Sequence, residues 1–284
     1  MDVAAEVTEH RPYLLGVAFR VLGSMDEAED VVQEAFLRAS RAEPEGIDEP
    51  RAWLTTIVGR LALDQLRAAK ARRESYIGPW LPEPVVGDPA DRITLDEQVG
   101  LAFTAVLESL SPAERVVYVL HEAFGVPLNE VAGIVGRTPA ACRQLASRAR
   151  RHLAERAPRF DADPDEQARV VEAFRIAAAA GDIEALTHLL DENVTARADG
   201  GGRVAGAARK PMRGRQQVLK GLTVGLRRAG DVHGEVRPVN GKPGLVFYRD
   251  DEVTGVLDVT VAGGQITDMS IILNPDKLRR VARP

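Results

Sequence analysis

Val126 to Leu153 read VPLNEVAGIVGRTPAACRQLASRARRHL. Two helical segments are written around one glycine turn at Gly136. The second begins behind Thr138, a side-chain N-cap, with Pro139 in the first helical position, where a missing N–H removes no bond. Cys142, Ala146, Ala149 and Leu153 recur at i, i+4, i+7 and i+11 and form an apolar seam, which leaves Arg143, Gln144, Ser147, Arg148 and Arg151 pointing outward. Two short helices joined by a tight turn outline a helix-turn-helix. Residues 137 to 156 hold six arginines and one glutamate, a local +5 in a chain whose formal charge is −5. Arginine and glutamine suit guanine and adenine edges or phosphate oxygens in a major groove. A solvated basic face would carry the same charge, but the preceding helix and the turn favour DNA.

Working towards the N-terminus, Ser111, Pro112 and Glu114 form another helix start. Residues 6 to 74 are helical in pattern, with breaks at Gly23 and Ser24 and at Glu43 to Pro50. Ser24 and Glu27 make a capping box, and Ala28, Val31, Val32, Ala35 and Phe36 then share one face. The outer face of that helix is acidic, with Asp26, Glu27, Glu29, Asp30 and Glu34 beside Gln33 and Leu37. Such a face suits a protein partner rather than phosphate. The next helix, about Arg51 to Arg73, ends in Arg67, Lys70, Arg72 and Arg73, a second basic cluster that the helix dipole alone could also explain. YIGPWLPEPV, Tyr76 to Val85, follows it. Proline removes amide donors and fixes φ, so residues 75 to 94 are a connector rather than an ordinary helix or inner strand.

Beyond Glu166 the pattern changes. Helices are predicted at about Asp165–Ala180, Ile183–Leu190 and Arg215–Arg228, around the glycine-rich RADGGGRVAGAARKP. VHGEVRPV, GLVFYR, EVTGVLDVTV and QITDMSIIL then read as an antiparallel meander with NGKP, DD and GG turns, making an α+β domain. Asp199, His188, Asp258 and Asp268 are the acid or base candidates here, with no spacing that demands catalysis. Gly200, Gly201 and Gly202 do not form the GxxxxGK[ST] phosphate loop, so a tight turn or close backbone approach is expected. No catalytic residue, metal site or cofactor is assigned. At 284 residues, with 28% charged and 45% hydrophobic, the composition is that of a folded multidomain chain. The single cysteine, Cys142, excludes an intramolecular disulfide or a multi-cysteine zinc site and fits a reducing cytoplasm. No apolar run approaches the roughly 18 residues of a membrane span, and MDVAAEVTEH lacks signal-peptide character. A cytoplasmic protein with no membrane partner is expected.

At these residues the chain resembles a known family. VLGSMDEAEDVVQEAFLRA (Val21 to Ala39) resembles the core-polymerase-binding helix of bacterial RNA polymerase sigma factors of the extracytoplasmic-function (ECF) class, within the sigma-70 family. PRAWLTTIVGRLALDQLRAAKARR is similar to their minus-ten-recognising region. LSPAERVVYVLHEAFGVPLNEVAGIVGRTPAACRQLASRARRHL resembles their C-terminal helix-turn-helix, which reads the minus-thirty-five element. WLPEP (Trp80 to Pro84), DGGGR (Asp199 to Arg203) and NPDKL (Asn274 to Leu278) resemble ECF group forty-one, whose members carry a SnoaL-like C-terminal extension. DGGGR ends in arginine where that group more usually has lysine.

The resemblance implies two all-α sigma domains, the second a helix-turn-helix, followed by an α+β SnoaL-like cone-shaped domain. The boundaries are 1–74 for the first, 75–94 for the linker, 95–157 for the second and 158–284 for the extension. It implies that Asp30, Gln33, Glu34 and Leu37 face the β′ clamp helices of core RNA polymerase, with β a further partner. Arg60, Asp64 and Arg67 would meet the melted minus-ten element, or equally serve helix pairing and local charge contacts. Arg143, Gln144, Ser147 and Arg148 would read double-stranded promoter DNA, while Arg150 and Arg151 hold phosphates. Trp80, Leu81, Pro82, Asp199, Gly200, Gly201, Gly202, Asn274, Pro275, Asp276 and Lys277 would form an interdomain regulatory site. In it Trp80 is expected as a buried docking knob, and Lys277 as the partner of an acidic residue in the sigma core. The resemblance also allows a small-molecule ligand in the extension. Arg60 stands where many relatives have asparagine, and Cys142 and Leu145 occupy recognition-helix positions where other residues are common, so no promoter sequence is carried over. Two other classes fit parts of the pattern: a SnoaL-like small-molecule enzyme, and a ligand-responsive repressor fused to a helix-turn-helix. Turnover by residues 160–284 would mark the first, and failure to bind core polymerase the second.

Overall fold

The computed structural model of the chain describes residues 3–42, 47–74, 76–87, 107–156 and 163–281. They divide into two compact units: 3–42, 47–74 and 107–156 in one, 76–87 and 163–281 in the other. Residues 88–106, between the linker and the Ser111 helix start, fall outside the described residues, as do the centre of the Glu43–Pro50 break and the side chains of Lys70, Arg72 and Arg73.

The first unit is helical: α1 (Val3–Leu22), α2 (Met25–Arg41), α3 (Pro50–Glu74), α4 (Pro112–Val117), α5 (Leu128–Val135) and α6 (Pro139–Arg156). Ser24 ends the α1–α2 turn in extended backbone and accepts the Glu27 amide at 3.4 Å, the N-cap bond of the expected capping box. Behind it Ala28, Val31, Val32 and Ala35 are buried, as are Leu14, Val17, Ala18 and Val21 of the adjoining α1, while Phe36 is half-buried. Ser111 and Glu114 complete a reciprocal capping box at α4. Tyr118–Ala123 continues α4 as a π-helical segment. Gly136 closes α5 with φ +70°, a conformation that disfavours any side chain, and its amide bonds the Ala132 carbonyl.

Arg115 joins the helices on either side of the linker. It is 1% exposed, its Nε and Nη2 donate to the Arg20 carbonyl at 3.4 and 3.2 Å, and its Nη1 bonds the Glu108 carboxylate. These bonds occupy a carbonyl at the C-terminal end of α1 that the helix itself leaves open. On α3, Gly59 permits close approach: a Cβ there would lie 3.1 Å from Ile134 Cγ2.

The second unit is a mixed α+β structure with an open sheet. Its helices are α7 (Pro164–Ala180), α8 (Ile183–Leu189), α9 (Arg215–Ala229) and α10 (Pro275–Leu278). Its strands are β1 (Leu190–Asp199), β2 (Met212–Arg213), β3 (His233–Val239), β4 (Lys242–Arg249), β5 (Glu252–Ala262) and β6 (Gln265–Ile272), in the order β2-β1-β6-β5-β4-β3. The meander β3 to β6 is antiparallel as expected, and its DD turn places Asp250 and Asp251 at φ +48° and +63°, the left-handed pair that matches strand twist in a two-residue hairpin. A strand that the sequence reading did not include, β1, runs parallel to β6. LDENVTARAD has few β-branched or aromatic residues, so its strand character comes from pairing with β6 and packing against helices rather than from propensity.

Strand alternation divides the sheet into two faces. Val194, Ala196, Leu245, Leu257, Val259 and Met269 pack with Val170, Val171, Phe174, Leu186 and Val218 from the helices. On the opposite face Val239, Val246, Tyr248, Val256 and Ile272 form a second apolar cluster with Leu81, Leu278 and Val281. Leu81 comes from the linker, so the connector is part of this unit's core.

Candidate nucleic-acid interface and linker clasp

In α6 the seam residues Cys142, Ala146, Ala149 and Leu153 are buried, and Arg143, Gln144, Ser147, Arg148, Arg150 and Arg151 are all exposed. Arg148 Nε stands 3.8 Å from Glu114, and Arg150 Nε stands 3.6 Å from Glu122. Both arginines are more than half exposed, so these are rim contacts that water and salt screen. Burial works to raise the Glu114 pKa, but bonds from Ser111 and the charges of Arg148 and His152 outweigh it and hold the group below its ordinary value. The α6 cations therefore point into solvent from a rigid seam.

On α2, Asp30, Gln33 and Leu37 are exposed, and Glu34 forms a 2.7 Å pair with Arg38 one turn on. On α3, Asp64 pairs with Arg67 at 3.2 Å, and Arg60 Nη2 donates to the Gly133 carbonyl of α5 at 3.2 Å. These three α3 residues make local and helix-pairing contacts while remaining exposed.

In the second unit the three short strings WLPEP, DGGGR and NPDKL come together around one carboxylate. Asp199, at the end of β1, is fully buried. Its Oδ2 accepts the Lys277 ammonium at 2.7 Å and the Leu81 amide at 2.8 Å; its Oδ1 accepts the Tyr76 hydroxyl at 2.5 Å and the Gly201 amide at 3.0 Å. Lys277 also donates to the Leu81 carbonyl, and its Nζ lies 3.9 Å from the centre of the Trp80 ring. Asn274 donates to the Tyr76 hydroxyl at 2.9 Å. Burial first, then the bond to Asp199 and its charge, push the Tyr76 hydroxyl far above the ordinary phenol range.

Backbone geometry supports this arrangement. The amides of Leu273 and Asn274 donate to the Asp199 carbonyl at 2.8 and 2.9 Å, which holds β1 against the start of α10. Gly201 and Gly202 take φ +61° and +73°, and a Cβ on Gly201 would lie 2.6 Å from the Asn274 side chain. The three glycines thus form the tight turn and close approach that their sequence suggested. Arg203 pairs with Asp276 at 3.0 Å and so reaches across to NPDKL. Further along, the Val85 amide bonds Asn240 Oδ1 at 3.0 Å, the Asn240 amide returns to the Val85 carbonyl at 2.7 Å, and Val86 bridges Val239.

Two expectations change. Lys277 pairs with Asp199 of its own unit and is 9% exposed, because the linker lid excludes water from it. Trp80 is half-buried and roofs that ammonium, while the apolar plug is its neighbour Leu81, 1% exposed. Pro82 is buried beside it, whereas Pro275 is exposed and Asp276 half-buried. A tryptophan ring adjoining a buried cation is better used as a π face than as a plug. Tyr76 and Asn240 belong to this site and were not singled out in the sequence, since an isolated tyrosine and an NG turn carry no signal of a partner 100 residues away. The acid and base candidates are dispersed: Asp258 accepts from Asn240, Asp268 bonds Arg197 through both oxygens at 2.8 Å, and His188 is exposed on α8.

A helix-turn-helix with outward cations on a buried seam defines a DNA-binding transcription protein. Comparison with known proteins narrows the class. Residues 7–72 match Sigma-70 region 2, and residues 100–153 match Sigma-70, region 4. ECF RNA polymerase sigma factor SigJ of Mycobacterium tuberculosis is 40% identical over 284 residues, covering 94% of this chain and 90% of that protein. Probable ECF RNA polymerase sigma factor SigI of the same species is 38% identical over 291 residues, covering 97% and 94%. The crystal structure of Mycobacterium tuberculosis SigJ superposes with a TM-score of 0.78 at 36% identity, over 97% of this chain and 98% of that one. The chain belongs to the ECF RNA polymerase sigma factors. It is a transcription factor and not an enzyme. No helix among the described residues is long and apolar enough to cross a membrane.

Proposed function

We propose that the chain directs core RNA polymerase to its promoters and that its C-terminal unit, a SnoaL-like extension of the group-forty-one kind, regulates this in cis through the linker. In this reading Asp30, Gln33, Glu34 and Leu37 on α2 meet the β′ clamp helices, with β a further contact. Arg60, Asp64 and Arg67 serve the melted minus-ten element, for which Arg60 gives up its bond to Gly133. The α6 side chains read and hold the minus-thirty-five duplex. Residues 1–74 and 95–157 act as the two sigma domains, 75–94 as the linker and 158–284 as the regulatory domain.

The observation that carries regulation is the seating of the linker on a buried Lys277–Asp199 pair. Twelve linker residues, 76–87, lie on the C-terminal unit, and a chain extends by at most ~3.3–3.6 Å per residue. Docking therefore withdraws up to ~40 Å of reach from the tether between the two sigma regions. A clasp that opens and closes changes how far apart those regions can bind promoter DNA.

Reconstituted transcription with core polymerase tests both halves. Failure of the wild-type chain to bind core polymerase or to start transcription at any promoter would remove the sigma reading. With core binding intact, Lys277→Met should change transcript output several-fold relative to wild type. Equal output at equal promoter occupancy would remove cis regulation and leave the sigma reading standing.

A further inference from the structure

Residues 200 to 230 contain eight arginines and lysines and no aspartate or glutamate, within a chain whose formal net charge is −5. Helix α9 lies in this stretch. It buries Val218 and packs Leu219, Leu222 and Leu226 against the core of the second unit, and it turns Lys220, Arg227 and Arg228 to solvent. The stretch is continuous in space as well as in sequence. A Cβ on Gly206 would lie 2.2 Å from Arg228 Nη1, so the loop carrying Arg209 and Lys210 abuts the end of α9. A Cβ on Gly221 would lie 2.2 Å from Met212 Sδ, so β2, with exposed Arg213, lies along the middle of the helix.

None of Arg209, Lys210, Arg213, Lys220, Arg227 or Arg228 forms an ion pair with a described residue; the paired cation of the stretch is Arg203, at the clasp. Asp231 just past the end of α9, Asp191 and Glu192 at the start of β1, and Glu184 on α8 form no ion pair with α9 among the described residues. The dipole at the end of α9 accounts for Arg227 and Arg228 alone. It does not explain Lys220 in mid-helix, Arg213 on a strand, or Arg209 and Lys210 on a loop.

We propose that this face is a sequence-independent contact with the phosphate backbone of promoter DNA, additional to those of α3 and α6. A docking site for an acidic protein is less favoured, because protein interfaces concentrate aromatic and apolar anchors and deplete lysine. On α9 itself the one large exposed apolar residue is Val224. Clustered cations without anchors are what counterion release requires, and they confer affinity without base readout.

The proposal rests on the sigma-factor reading, so the test uses holoenzyme assembled from core polymerase and the full chain on duplex promoter DNA. The triple variant Lys220→Gln, Arg227→Gln, Arg228→Gln changes only exposed side chains, and an unchanged melting curve checks that it folds. Its slope of log Kobs against log salt should be shallower than wild type by about 2.7, at about 0.9 per lost phosphate contact, equally on promoters of different flanking sequence. An unchanged slope would overturn the proposal, as would weaker assembly with core polymerase at an unchanged slope, which would assign the face to an acidic protein surface. If wild-type holoenzyme itself fails to bind promoter, the sigma reading fails instead.

Discussion

Lys277→Met is the sharpest test of the clasp. Methionine keeps most of the side-chain volume but removes the cation, leaving the fully buried Asp199 carboxylate with Tyr76, Leu81 and Gly201 as its donors. Those neutral bonds exist in both proteins, so the difference is the loss of one member of a buried pair, about 3–5 kcal/mol. Loss of the cation from the Trp80 face adds roughly 0.5–2 kcal/mol, part of which methionine's own contact with the ring returns. At about 4 °C per kcal/mol for a unit of this size, Tm of the C-terminal unit should fall by roughly 10–20 °C. If the linker detaches before the unit unfolds, the same loss appears as faster hydrogen exchange at the Leu81 amide, which bonds Asp199 at 2.8 Å. Adding Asp199→Asn to Lys277→Met removes the stranded charge. The double variant should therefore be more stable than Lys277→Met alone, with a coupling energy of about 2 kcal/mol or more. Additive effects, or a melting shift under ~3 °C with Leu81 exchange unchanged, would show that the pair does not hold the linker.

Leu81→Ala should destabilise the C-terminal unit by about 2–5 kcal/mol in denaturant unfolding, and by more than Trp80→Ala, since Leu81 fills the core and Trp80 lies over a cation at its edge. Arg143→Ala with Arg148→Ala should weaken holoenzyme binding to its promoter by about 10- to 100-fold. Arg150→Ala or Arg151→Ala should instead weaken binding on all sequences and reduce the salt slope by about one each. Tyr76 provides a pH signature. Its folded pKa lies above the unfolded value of about 10, so its stabilisation is complete below that value and is lost as pH rises through the folded one. Above pH ~10 the wild type should lose up to about 1.4 kcal/mol per pH unit relative to Tyr76→Phe, and parallel urea midpoints for the two proteins up to pH 11.5 would disprove this.

The helical unit was nearly complete in its one-dimensional pattern. Ser24 with Glu27, Ser111 with Glu114, Gly136, and Thr138 with Pro139 mark helix ends by bonds made within three or four residues, and the seam Cys142–Leu153 follows helical geometry alone. The hairpins of the second unit were equally legible, because Asn240 and Asp250–Asp251 take left-handed conformations that favour those residue types. β1 was not. Its residues have little strand propensity, and what makes them a strand is β6, some 70 residues away.

The clasp shows the same division at the level of the site. WLPEP, DGGGR and NPDKL stood out as strings, yet nothing local showed that Lys277 would meet Asp199, that Leu81 rather than Trp80 would be the plug, or that Tyr76 would join them. Local chemistry sets caps, turns and the direction in which a helix presents its charge, since each depends on neighbours a few residues away. Which distant groups share a water-free space depends on how strands pair and which loop covers them. Only the folded chain brings a carboxylate and an ammonium 78 positions apart into one buried pair.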